Sequence, residues 1–250
     1  MFYKYNRIVF LNIVGFVARC KFTSIWLLAE SGCILSGFSY NETKEHKNRL
    51  RNVDWVACET SQSLRDLSNS WNLSTNNWLR HYVYDRVTPP GEKPTSRTLA
   101  VTYITSSIWH GFYPGYYALF IPFGIFQGLS RRIRRTIRPL LVADNDSSYS
   151  RPQQKSLLSS ISLRIVCKKL YDIMGYAMSM TLIAILTVPF DLLHVSKTLK
   201  VWSSIYHIHV WAYISIWAFL TVMGPTLLSL QKKRSKKGEA TEIKLKQKTL

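Results

Sequence analysis

The chain alternates long apolar runs with dense polar stretches. Ile8 to Ala18 is apolar, Arg19 and Lys21 interrupt, and Phe22 to Tyr40 is apolar again apart from Glu30. These stretches predict two membrane-embedded or interfacial helices, because a short apolar stretch suits a buried or interfacial helix better than a span. Three longer runs follow. Leu99 to Leu129 holds 31 residues without Lys, Arg, Asp or Glu, Ile173 to Phe190 holds 18, and Val201 to Leu230 holds 30. A bilayer core is crossed by ~20 apolar residues, so each is long enough. Inside the first run, Pro114 has no N–H for the carbonyl of His110, so a helix there should kink or break, with Gly111 and Gly115 easing it. Between the apolar runs, Leu64 to Tyr84 has helical spacing. Ser68, Asn72, Thr75, Asn76 and Leu79 share one face, and Trp71, Trp78 and Tyr82 form an adjacent aromatic stripe. Pro89-Pro90-Gly91 closes the element in a turn. No strand alternation or internal repeat stands out. The pattern predicts an all-α, multi-pass transmembrane helical bundle.

Charge sharpens this picture. The chain has 250 residues, 33 Lys+Arg against 14 Asp+Glu, and a net charge of +19. Its mean hydropathy of −0.03 averages over segregated runs. The positive charge flanks the apolar runs, which fits basic loops at a membrane surface rather than a nucleic-acid binder. Residues 131–170 hold ten Lys/Arg against two Asp/Glu, and the tail from Gln231 holds eight against two. Both are expected on the cytosolic side. The expected organisation is a membrane-embedded domain over 1–230, with a polar segment at 41–97 and a basic loop at 131–170, and then a disordered basic tail over 231–250. The 41–97 segment is luminal if Leu99 to Leu129 is one tilted span, and can be cytosolic if the run breaks and re-enters. The sequon Asn41-Glu42-Thr43 tests the side. Lys246 and Lys248, fifth and third from the C-terminus, resemble a dilysine endoplasmic-reticulum retrieval signal.

The chemistry is narrowed mostly by what is missing. Cys20, Cys33, Cys58 and Cys167 have no metal-type spacing, and there is no P-loop, HExxH or GxSxG. His207 and His209, two residues apart, would point to different faces of a helix, so no metal site is expected. Acidic residues are nearly absent from the apolar runs, which disfavours paired-carboxylate catalysis. His110 and the Asn-bearing face remain. An ionisable residue deep in an apolar run is a functional candidate. Desolvation keeps an imidazole neutral and ready to accept a proton, and a carboxamide can orient an oxygen without adding charge. That pair suits moving an acyl group onto a hydroxyl. A satisfied histidine on a kinked helix and an aromatic stripe used for packing are the plainer alternatives.

Three stretches carry a family resemblance. They are Trp26-Leu27-Leu28-Ala29-Glu30-Ser31-Gly32-Cys33-Ile34-Leu35-Ser36-Gly37 with Tyr40-Asn41, then Trp71 to Tyr84 with Arg86 to Pro89, then Trp109 to Tyr117. With them the chain resembles the membrane-bound O-acyltransferase (MBOAT) family, most of all its fungal-type lysophospholipid acyltransferases. The resemblance covers nearly all of this chain but only the C-terminal half of a family member, so the bundle is expected to be N-terminally truncated. It implies catalytic roles for His110 of the Trp-His-Gly motif and for Asn72. Candidate substrate contacts are Trp71, Thr75, Asn76, Trp78, Trp109 and Tyr113. It implies acyl-CoA as co-substrate with no further cofactor, a lysophospholipid as acceptor, re-acylated at the sn-2 hydroxyl, and the endoplasmic-reticulum membrane as location. An acceptor of another kind (sterol, diacylglycerol, protein) and an inactive membrane protein binding anionic lipid through Arg131 to Arg138 are the competing readings. Neither nucleic acid nor a metal is expected as a partner.

Overall fold

The computed structural model describes residues 2–38, 50–141 and 158–233, and among them there is no strand. The sequon at Asn41, the middle of the basic loop and the tail beyond 233 lie outside the described residues. The helices are α1 (Phe2–Leu35), α2 (Trp55–Glu59), α3 (Leu64–Ser70), α4 (Leu73–Leu79), a π-helical turn (Arg80–Tyr84), α5 (Asp85–Val87), α6 (Ser96–His110), α7 (Pro114–Thr136), α8 (Arg138–Leu141), α9 (Leu158–Leu192), α10 (Val195–Ser204) and α11 (Ile208–Val222). Asn6–Leu35 and Val166–Leu192 are long and apolar enough to cross a membrane. Helices α10 and α11 meet that test only together, bent by 70°.

The chain divides into two compact units. Unit one comprises Met1–Gly128 and Ile173–Val210. Its centre is the C-terminal half of α9. Ile183, Ala184, Ile185 and Leu186 are all buried there, and a helix that is apolar all round belongs in a core. One side of it, Met180, Ile183 and Leu186, packs with Cys58, Leu64 and Leu67 of α2 and α3 and with Leu119 and Phe123 of α7. The other side, Ile185 and Val188, packs with Leu11 of α1 and Ile205 after α10. The short helices start on side-chain caps. Asp54 accepts from the Ala57 N–H (3.1 Å) and Ser63 from the Asp66 N–H (3.2 Å). Thr95 and Thr98 form a reciprocal capping box at α6.

Unit two comprises Leu129–Asp172 and Trp211–Leu250. Here part of the basic cluster has a structural use. Arg132 donates to the carbonyl of Leu220 (3.1 Å), and the Gln231 carboxamide donates to the carbonyls of Arg135 (3.1 Å) and Thr136 (2.6 Å). Carbonyls at helix ends lack helical partners, and these side chains supply them.

Four expectations change. The two N-terminal helices are one helix of 34 residues. Arg19 does not interrupt it, because its guanidinium donates to both carboxylate oxygens of Glu59 (2.6 and 2.9 Å). The single helix over Leu64 to Tyr84 is two helices, divided at Trp71-Asn72 and continued through the π-turn. The Val201 to Leu230 run is not one straight span, since it turns at Tyr206 and His207, which both have positive φ. His207 therefore stands outside helix, and its ring lies 6.2 Å from that of His209 rather than on an opposite face. By contrast, the break expected near Pro114 is present. Helix α6 ends at His110, and Pro114 opens α7 at a first-turn position where no N–H is needed.

Candidate functional site

Asn72 sits between α3 and α4 in the left-handed conformation (φ 47°, ψ 56°). Asparagine tolerates that region better than most residues. Although it occupies the N-cap position of α4, its side chain makes no cap hydrogen bond. Asn52 does that work from 20 positions earlier. Its carbonyl accepts from the Leu73 N–H (2.8 Å) and its side-chain oxygen accepts from the Ser74 N–H (3.0 Å). The neighbouring strap is closed by the Asp54 N–H donating to the carbonyl of Ser70 (2.9 Å). The carboxamide of Asn72 is thus released from capping its own helix.

His110 is the last residue of α6. Gly111 follows at φ 125°, a region that L side chains rarely enter, and its N–H donates to the Ser107 and Ile108 carbonyls (3.2 and 3.0 Å). The imidazole is half-buried and ringed by aromatics. It stacks on Phe120 (4.8 Å between centroids) and meets Phe190 (5.2 Å) and Trp109 (4.6 Å) edge-on, with Tyr116 at 5.7 Å. Gly115 lets the next helix come this close. A Cβ there would run into the Pro189 carbonyl, so any side chain would push the start of α7 away from α9.

The two motifs occupy the two arms of one helical hairpin. The arm from Leu73 to Val87 and the 15-residue α6 are of equal length and joined by the turn at Pro89 to Thr95. The π-turn and α4 both pack on α6. Near the turn, Thr88 donates to Thr98 (3.4 Å). Asn72 stands at the start of one arm and His110 ends the other. A ring network links the same two ends. Trp71 meets Phe22 at 6.3 Å, Phe22 meets Phe190 at 6.2 Å, and Phe190 meets His110.

The candidate substrate contacts divide. Trp71 is half-buried in the ring network and Thr75 half-buried on α4. The Asn76 carboxamide donates to the Ser68 carbonyl (3.0 Å), which ties α4 to α3 and gives this residue a structural use. Trp78 is exposed and stacks on Tyr82 (5.6 Å). Trp109 and Tyr113 are also exposed, each with one edge on a ring of the His110 cluster. Phe120 and Phe190 flank the histidine, Phe22 packs on Phe190, and none of the three was among the candidates. Phe190, beside Pro189 at the end of an apolar run, gives no sign in sequence of where it folds. The Cys58 thiol is no rival nucleophile. It is fully buried, and burial pushes its pKa up to about 12.

A model of the MBOAT, membrane-bound O-acyltransferase, family matches residues 1–144, which include both motifs. A lysophospholipid acyltransferase of Saccharomyces cerevisiae is 34% identical over 226 residues, covering 88% of this chain and 33% of that protein. One from Schizosaccharomyces pombe is 30% identical over 215 residues, covering 84% and 39%. The human membrane-bound glycerophospholipid O-acyltransferase 2 is 26% identical over 247 residues, covering 97% and 41%. The chain therefore spans 33% to 41% of the length of these relatives.

Proposed function

Because the chain belongs to the membrane-bound O-acyltransferase family, we propose that it forms the reaction-site part of an acyl-CoA-dependent lysophospholipid acyltransferase. The observation that carries this reading is the hairpin whose two arms bear the Asn72 and His110 motifs. His110 is the general base. Its imidazole takes the proton from the free hydroxyl of the lysolipid, at the sn-2 position. The oxygen attacks the thioester carbonyl of acyl-CoA, the carbon–sulfur bond breaks, and the thiolate leaves with the proton handed on by the imidazolium. No acyl-enzyme forms. The Asn72 carboxamide, unused as a cap, orients the hydroxyl and donates to oxygen as charge develops. Aromatic walls around His110 keep water from competing for the thioester. The exposed rings of Trp78, Trp109 and Tyr113 contact the lipid and acyl chains. The protein works in the endoplasmic-reticulum membrane with its C-terminus in the cytosol.

The test is direct. The chain is expressed in membranes lacking this activity and given labelled acyl-CoA with a panel of lysophospholipids. Labelled diacyl phospholipid is expected from the wild type and not from His110→Ala or Asn72→Ala at equal protein level. Equal product from all three would refute the assignment.

A further inference from the structure

A histidine base is ordinarily aimed through the hydrogen bond that its second ring nitrogen makes. Among the described residues neither ring nitrogen of His110 has such a partner. Its aim has to come from packing. Phe120 stacks on the imidazole at 4.8 Å and 19°, which restrains the plane of the ring. Phe190 lies 5.2 Å from the imidazole at 83° and 6.4 Å from Phe120. These three distances put Phe190 beside the imidazole, not across it from Phe120. It therefore closes one edge of the ring that the stack leaves open. Trp109, Tyr116 and Phe120 are near neighbours of His110 in the chain, whereas Phe190 is brought by α9.

The end of α9 is built around that delivery. Pro189 is fully buried and has no N–H for the Ile185 carbonyl. The Trp202 indole donates to that carbonyl instead, at 3.0 Å. The Leu193 N–H donates to the Pro189 carbonyl (2.9 Å), and Leu193 is held at φ 59°, a region costly for a bulky L residue. At Gly115 the start of α7 lies against the same carbonyl and against the Leu193 Cα, with no room for a side chain. A proline, a donor lent from α10, a strained leucine and a glycine together fix the turn that carries Phe190. Strain of this kind persists where the surroundings over-determine it, and it gathers at functional sites. We propose that Phe190 is a positioning residue, which holds the edge of the His110 imidazole so that the ring keeps one aim at the acceptor hydroxyl. The proposal rests on the acyltransferase reading above. Without that ring the imidazole can turn about its own side-chain bonds. A misaimed base slows the chemical step and leaves substrate affinity alone.

The experiment compares the full chain in membranes as wild type, Phe190→Leu and Phe190→Tyr, with kcat counted per folded molecule. Leucine fills most of the space without a ring, and tyrosine keeps the ring. Phe190→Leu is expected to lower kcat by ~10–10²-fold with KM for both substrates unchanged, the cost of a small misplacement of the base. Phe190→Tyr is expected to keep most of the wild-type kcat. An unchanged kcat in Phe190→Leu, an equal loss in Phe190→Tyr, or a loss carried by KM would each overturn the proposal. A second readout needs no activity. Carbethoxylation of His110 by diethyl pyrocarbonate is followed on its own peptide by mass spectrometry. It is expected to run ~3–10-fold faster in Phe190→Leu than in the other two proteins, as the loss of one aromatic pair from a local opening equilibrium would give. Equal rates in all three would overturn the proposal. A wild type that transfers no acyl group, but whose His110 is shielded by Phe190, would refute the acyltransferase reading and leave Phe190 as the residue that fixes the imidazole.

Discussion

At His110 the chain leaves α6 through Gly111, at φ 125°, and re-enters helix at Pro114; at Tyr206 and His207 it turns through two left-handed residues, φ 55° and 49°, neither of them glycine. Both breaks interrupt uncharged runs of about the same length, and both leave a histidine close by. The first is written in local chemistry. A glycine supplies the backbone region and a proline removes a donor where none is needed. The second is held from outside. The His207 N–H donates to the Trp202 carbonyl (2.9 Å), the Trp202 indole donates to the Ile185 carbonyl (3.0 Å), and Arg7 donates to the Ser204 carbonyl (2.9 Å). The first break carries a half-buried imidazole in a ring of aromatics. The second buries His209 against Trp202 (4.7 Å). A local break can be kept whatever packs around it, and this one carries the proposed base. A break held by distant contacts belongs to the packing.

The sharpest way to break this comparison is to remove each histidine. His110→Ala is expected to lower acyl transfer by ~10²–10⁴-fold, the usual contribution of a general base. His209→Ala is expected to leave the rate per folded molecule unchanged, as read by transfer assays normalised to monodisperse protein. Next in size, Asn72→Gly preserves the left-handed backbone but removes the carboxamide. It should fold like the wild type and lose ~10²-fold in transfer, comparable to losing one oxyanion donor. An Asn72→Gly chain with full activity would reduce Asn72 to a backbone role. A smaller effect is expected at Gly115. In Gly115→Ala the new methyl meets the Pro189 carbonyl, which is backbone and cannot step aside, so stability should fall by ~1–3 kcal/mol in a thermal-aggregation assay. The smallest contrast concerns the turns themselves. Gly111→Ala forces a side chain into a glycine-only region and should cost ~1–3 kcal/mol. His207→Gly sheds a left-handed penalty while loosening the unfolded chain, and should change stability by less than ~1 kcal/mol.

How far the sequence could be read follows the same division. The all-α architecture, the break at Pro114 and the turn after Thr88 rest on residues within a few positions of the event, and these were legible. His110 and Asn72 were singled out through their motifs, and the structure puts them on the two arms of one hairpin. The continuity of α1 was not, because Arg19 is tolerated only through Glu59, 40 positions later. The division at Asn72 was hidden by a helical period that runs unbroken through it, and by a cap lent from Asn52. The bend at Tyr206 and the arrival of Phe190 at His110 depend on how α9 packs, which no local pattern records.

The central claim is that His110 and Asn72 act as one site, and the most direct measurement is a double-substitution cycle on acyl transfer. The wild type, His110→Ala, Asn72→Ala and the double variant are assayed in the same membranes at equal protein level. Residues that act as a unit give grossly non-additive losses. The double variant is therefore expected to be no slower than the slower single variant. Losses that multiply would contradict the account and leave two independent residues on one hairpin.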